Sequence, residues 1–298
     1  MKVLVSGATG LIGHRVVAAL HTAGRAVRVV TRDPGRVRHP KTVEVVSWNG
    51  HTLAPRELRG IGAIVHLAGE NIGQRWSDET RRRIRESRVR GTRLVAEAVG
   101  ALEPRPVLLC ASAVGYYGQQ GDERLTEDAS RGEGFLAEVV EAWESAADPA
   151  REAGARVVHF RQAPILARHE GMIKRMSLPF KLGLGGRVGS GDQWWSWVTL
   201  DDIVSAYLFA LERPLAGTLN LVAPGVVRNR DFVDALGDVL HRPTVLPLPA
   251  AAVRLVWGDM GDEFLLGGQR AVPDRILGEG FTFAHPELGP ALEHVLRR

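Results

Sequence analysis

The stretch KVLVSGATGLIGHRVVAALHTAG, residues 2–24, constrains this chain more than any other. It opens with a short β-branched run, Lys2–Gly7. A helix signal, LIGHRVVAALHTAG, follows and ends at Gly24, a residue type suited to leaving a helix in the left-handed region. Between the two stand Gly7, Gly10 and Gly13, in GxxGxxG spacing. Gly7 permits a tight turn, Gly10 lets the backbone approach a ligand, and Gly13 lets the helix pack closely on the strand. The helix start then offers unpaired N–H groups and a partial positive charge to an anion. This order points to a dinucleotide site at Gly7, Thr9, Gly10, Leu11, Ile12 and Gly13, with a purely structural glycine turn as the alternative.

The same alternation continues. Apolar runs at Ala26–Arg32, Val43–Trp48, Ala63–Gly69, Pro106–Ala113 and Ala155–Arg161 read as strands, and Asp78–Val99 and Leu136–Ala147 read as helices. Strands that are apolar throughout, alternating with helices, predict an α/β fold: a doubly wound parallel sheet covered on both faces. After Pro164 glycine, proline and tryptophan become frequent, as in LPFKLGLGGRVGSGDQWWSWVTLDD. We expect a nucleotide-binding domain over residues 1–164, with 198–223 returning to it through the strand GTLNLVA. Residues 165–197 and 224–298 are expected to form a smaller substrate lobe.

The end of the second strand bears on which dinucleotide is bound. A carboxylate there would take the ribose 2′-hydroxyl of NAD. The chain instead reads VVTRDPGR, with Thr31 and Arg32 at that end. Arg32 is suited to a 2′-phosphate, so NADP(H) is the expected cofactor. Asp33 would repel that phosphate if it turned inward, and Arg32 as a solvated surface residue is the other reading.

Charge excludes little by itself. The net charge is +4, and the one dense basic run, Arg81–Arg93, lacks the interleaved aromatics of a nucleic-acid surface. A single cysteine, Cys110, excludes an internal disulfide and sits in an apolar strand. No apolar stretch reaches the ~20 residues of a membrane span, and MKVLVSGATG runs straight into a strand rather than a leader. A cytoplasmic protein with a small-molecule partner, and with neither nucleic acid nor membrane, is expected.

SGATGLIG, VHLAGENI, ASAVGYYG and WWSWVTLDD together resemble an extended short-chain dehydrogenase/reductase of the NAD-dependent epimerase/dehydratase type. The likeness is closer to an atypical branch of epimerase family proteins, and it runs over essentially the whole chain. It implies a Rossmann-like first domain. It also implies cofactor contacts at Leu67, Ala68 and Gly69, at Arg88 (where such enzymes often carry asparagine) and at Pro164, where QAP replaces a more usual sequence and offers no backbone N–H.

The same resemblance raises a difficulty. Such enzymes use a tyrosine and, four residues later, a lysine, near the stretch FLAEVVEAWE. Counted along the sequence, those places fall to Phe135 and Val139, and neither exchanges a proton. Candidate replacements at the carboxyl edge of the sheet are Ser112, Tyr116, Tyr117 and Glu70, with Asn71 beside them. The alternatives are an oxidoreductase with relocated proton transfer, a protein that binds NADP(H) without turnover, or a sugar-nucleotide epimerase/dehydratase. Trp76, Phe180, Trp194, Trp195 and Trp197 are expected to line an aromatic substrate pocket, and Asp201 to cap a helix. No histidine or cysteine spacing suggests a metal site.

Overall fold

Seven parallel strands form the central sheet: β1 (Lys2–Ser6), β2 (Ala26–Thr31), β3 (Glu44–Ser47), β4 (Ile61–His66), β5 (Val107–Ala113), β6 (Val157–Gln162) and β7 (Gly217–Leu221). Their spatial order is β7-β6-β5-β4-β1-β2-β3. The computed structural model describes residues 1–50, 53, 55–168 and 170–297. Ten helices flank the sheet or build the second lobe among the described residues. In chain order they are α1 (Leu11–Thr22), α2 (Asp78–Gly100), α3 (Phe135–Ser145), α4 (Asp148–Glu152), α5 (Gly171–Lys181), α6 (Leu200–Glu212), α7 (Asn229–Leu240), α8 (Ala250–Trp257), α9 (Asp274–Gly278) and α10 (Leu288–Arg297).

Strand alternation divides the core. Val3 and Val5 of β1 face α1 and α6 through Val16, Val17, Leu20, Ile203 and Ala206. Leu4 faces the other way, toward Val95 and Val99 of α2 and Ala150 of α4. Helices on both faces explain why the strands are apolar throughout. The sheet is therefore doubly wound and Rossmann-like. Its order reverses between β1 and β4, and that switch point opens a crevice at the strands' carboxyl ends.

A second core gathers Trp195, Trp197, Phe232, Val253, Leu288 and Leu292 from the later chain. The later chain also feeds the first core: Ala271, Ile276, Phe281 and Phe283 pack with the strands of the sheet. A short parallel pairing of Arg270–Ala271 with Arg124–Leu125 fixes that crossing. The glycine-rich segment LPFKLGLGG is divided. Its first half ends α5, and Gly186 pairs with Val245.

Candidate functional site

Backbone packing shapes the glycine turn. Gly7 has φ of +70°, and a Cβ there would lie 2.7 Å from the Leu67 carbonyl carbon. A Cβ on Gly13 would lie 2.2 Å from the Gly7 carbonyl oxygen. Helix α1 begins after Gly10, with no side-chain cap and no acidic residue in its first turn. The first-turn amides of Leu11, Ile12 and Gly13 are thus uncapped donors at the positive end of a helix dipole. The arrangement fits a diphosphate.

A cavity of about 420 Å³ opens beside this turn, lined by Gly7, Thr9, Gly10, Thr31, Arg32, Leu67, Ala68 and Gly69. Arg32 is exposed there and has no ion-pair partner among the described residues. The Asp33 carboxylate does not oppose it inside the cavity: it accepts the Gly35 amide at 3.1 Å and so caps its own turn. Arg83 and Arg90 line the same cavity. The sequence placed these two only in a basic run.

A second cavity, of about 330 Å³, lies across the carboxyl ends of β4, β5 and β6. Ile12, Leu67, Gly69, Arg88, Ser112 and Pro164 line it, together with Leu136, Val140 and Trp143 of α3. The later chain closes it with Trp194, Trp195, Glu263 and Gln269. Arg88 and Pro164 thus face this cleft and do not line the cavity beside the glycine turn. The Pro164 carbonyl accepts the Val198 amide.

Helix α3 turns one face to the cleft. Leu136 and Val140 carry the four-residue spacing on the cleft side. Phe135 and Val139 pack instead with Trp76, Ile84 and Met260, and Phe135 meets Trp76 edge-on at 5.1 Å. The positions counted along the sequence, Phe135 and Val139, therefore do not line the cleft. The pair that faces the cleft is equally unable to move a proton.

The four catalytic candidates do not meet at one point. Ser112 lines the cleft, but its hydroxyl donates to Glu144 Oε1 at 2.6 Å. Glu144 also accepts Nε and Nη2 of Arg161, at 2.9 and 2.8 Å. Arg161 Nη1 then donates to the Tyr117 hydroxyl at 3.0 Å, and that hydroxyl donates to Asn220 Oδ1 at 2.7 Å. Burial would raise the Glu144 pKa, but the Arg161 hydrogen bonds and charge outweigh it and hold the carboxyl below its ordinary value. Tyr117 is fully buried, and desolvation pushes its phenol above the ordinary value despite Arg161. Tyr116 stacks under Arg161, whose Cζ lies 3.4 Å from the ring centre. Glu70 lines the dinucleotide cavity and accepts from Gln74 at 3.4 Å. Residues far apart in sequence thus form one buried polar chain, Ser112–Glu144–Arg161–Tyr117–Asn220.

The aromatic set also separates. Trp194 and Trp195 line the cleft, Trp76 lies against Phe135, Phe180 belongs to the second core, and Trp197 is buried with its indole N–H on the Gly225 carbonyl. At the start of α6 the cap is Thr199, which accepts the Asp202 amide at 3.1 Å. Asp201 instead takes Arg15 at 3.0 Å and His294 at 2.8 Å, tying α10 to the sheet domain. Glu263, from the later chain, was not singled out in the sequence. Its carboxylate accepts the amides of Phe135 at 3.0 Å and Leu136 at 2.9 Å, capping α3 where Gly134 supplies no side chain.

Two buried histidines give the protein a pH dependence. Desolvation lowers His66 and His159 from 6.5 to about 4. As pH falls, the unfolded chain takes up these protons first. The stability they represent is fully present above about pH 6.5 and is lost as pH falls toward 4. Each ring accounts for on the order of 3 kcal/mol across that window. The melting temperature should therefore drop steeply from pH 6.5 to 4, and His159→Gln should flatten the slope. A curve of unchanged slope in that variant would contradict the assignment.

Among the described residues no helix is long and apolar enough to cross a membrane. Residues 3–221 match the NAD dependent epimerase/dehydratase family, and residues 248–295 match a domain of unknown function. An epimerase family protein of Mycobacterium bovis is 41% identical over 300 residues, covering 99% of this chain and 98% of that one. Human epimerase family protein SDR39U1 is 36% identical over 302 residues, covering 99% and 100%. The crystal structure of that human protein (isoform 2) with NADPH matches at a TM-score of 0.88 and 33% identity, over 100% of both chains. Fold, glycine turn and end-to-end similarity agree: the chain belongs to the NAD dependent epimerase/dehydratase family, among its epimerase family proteins.

Proposed function

We propose that the protein binds NADP(H) and works as an atypical short-chain reductase on a small molecule held in the 330 Å³ cleft. One observation carries the reading. The glycine turn that leads into α1, through Gly7, Thr9 and Gly10, and the unpaired Arg32 border one cavity, so a diphosphate and a 2′-phosphate each find a donor close to it. The human relative crystallised with NADPH supports it. Gly7, Thr9, Gly10, Leu11, Ile12 and Gly13 would hold the diphosphate. Thr31 and Arg32 would hold the adenosine side, and Leu67, Ala68 and Gly69 the wall between the two cavities. Arg88 and Pro164 face the end where nicotinamide and substrate meet. When bound, the cofactor supplies or accepts hydride. The chain's own residues bind, orient and exclude water.

Sugar epimerisation fits less well. It needs reversible oxidation of a hydroxyl with a proton acceptor in place, and Leu136 and Val140 provide none. A second reading, NADP(H) binding without turnover, is favoured by one specific observation. The hydroxyls of Ser112 and Tyr117 are already committed to Glu144 and Asn220.

Calorimetry with NADPH and NADH tests the cofactor assignment. NADPH should bind tighter, and Arg32→Ala should weaken NADPH about tenfold while leaving NADH nearly unchanged. Equal losses for both coenzymes would remove Arg32 from the 2′-phosphate. Loss of NADPH absorbance over a carbonyl and enone panel separates turnover from binding alone.

A further inference from the structure

The cleft contains a cation, Arg88, that has no carboxylate in ion-pair contact among the described residues. Arg88 Nη1 donates to the carbonyls of Glu70 at 2.9 Å and Ile84 at 3.2 Å. Among the described residues no carboxylate lies within ion-pair distance of Arg88, and no protein acceptor meets its Nε or Nη2. Arg161, a few residues beyond the same cleft wall, spends that very edge on Glu144, at 2.9 and 2.8 Å. The fold thus answers one guanidinium with a carboxylate and leaves the other open.

The surroundings hold Arg88 in place. Its Cζ lies 5.0 Å from the Trp143 ring centre, and a Cβ on Gly69 would come within 3.4 Å of the same carbon. Burial lowers its pKa to about 10, against the nearby charge of Glu70, which raises it, so it remains charged at neutral pH. Arg88 is partly buried, its protein acceptors are two backbone carbonyls, and a carboxylate arriving in the cleft would add a charge-assisted pair. The cleft's other walls are mostly apolar: Ile72, Leu136, Val140, Trp143 and Trp195. The carboxylate in the cleft, Glu263, is occupied by the Phe135 and Leu136 amides.

We infer that the cleft takes a small, largely apolar molecule carrying one carboxylate, gripped side-on by the Nε–Nη2 edge of Arg88. A planar guanidinium fork matches a carboxylate with two parallel hydrogen bonds, whereas a neutral amide offers a single acceptor. This inference names the substrate class of the site proposed above and rests on that reading for its reaction, though not for the binding itself.

The test compares trans-cinnamate with trans-cinnamamide, titrated by tryptophan fluorescence into protein with and without NADPH. Wild type should bind the acid about tenfold or more tighter than the amide. Arg88→Gln should erase that preference. Arg88→Lys, which keeps the charge and loses the fork, should retain only part of it. Equal binding of acid and amide by wild type, or no binding of either, overturns the inference without needing a folded variant. It is also overturned if Arg88→Gln weakens NADPH as much as it weakens the acid, which would assign Arg88 to the cofactor. Wild type that binds the acid but not NADPH would support the carboxylate site and refute the cofactor reading.

Discussion

Glu144→Gln is expected to lower stability by about 3–5 kcal/mol, a fall in melting temperature of roughly 10 °C. Glu144 is nearly buried and accepts three hydrogen bonds, from Ser112 and from both Nε and Nη2 of Arg161. Glutamine keeps the shape but removes the charge and turns an NH2 group toward a donor. The Arg161 guanidinium, itself 4% exposed as a residue, then keeps one amide oxygen and Tyr117 as polar partners and loses its counter-charge. Removing one partner of a buried pair costs more than removing both. Glu144→Leu combined with Arg161→Met should therefore recover a large share of the loss. Denaturant unfolding of the single and double variants measures this directly. A loss below about 1 kcal/mol in Glu144→Gln would show that water reaches the guanidinium. The same network changes what Tyr117→Phe reports. Its hydroxyl bridges Arg161 and Asn220, so removing it should lower stability before it lowers any turnover.

Gly13→Ala is expected to abolish measurable dinucleotide binding and to lower stability by about 3 kcal/mol or more. The added Cβ would meet the Gly7 oxygen at 2.2 Å and the Ala8 Cα at 2.7 Å. Both neighbours are backbone, so relief requires moving the turn whose geometry presents the first amides of α1. Gly278→Ala is the control, since a Cβ there meets nothing within 4 Å. Calorimetry with NADPH and a thermal melt on each variant decide the matter. A Gly13→Ala protein that melts and binds like wild type would refute the close helix–strand packing.

The reach of the sequence differs from place to place. The glycine turn was legible because much of its constraint is local: a positive φ at Gly7 and the close approach of Gly13 to the Gly7 and Ala8 backbone, whereas the approach of Gly7 to Leu67 is not. The strands were legible because burial on both faces makes them apolar throughout. The basic run Arg81–Arg93 was visible only as a run. Helix α2 turns Arg83 and Arg90 toward the dinucleotide cavity and Arg88 toward the cleft, and composition cannot show which residue faces which neighbour. Glu263 gave no signal because it comes to α3 from more than a hundred residues away.

The sequence by itself determined the backbone chemistry of this protein: a parallel sheet, a glycine turn at the first strand's end, and a helix start left open to an anion. The tertiary structure alone decided the side-chain assignments. It set the register of α3 against the cleft, paired Arg161 with Glu144, and left Arg88 with backbone carbonyls and no carboxylate in contact. The physical reason is range. Backbone conformation follows from sterics between adjacent residues, whereas a side chain's charge state and partners depend on which distant segment packs against it.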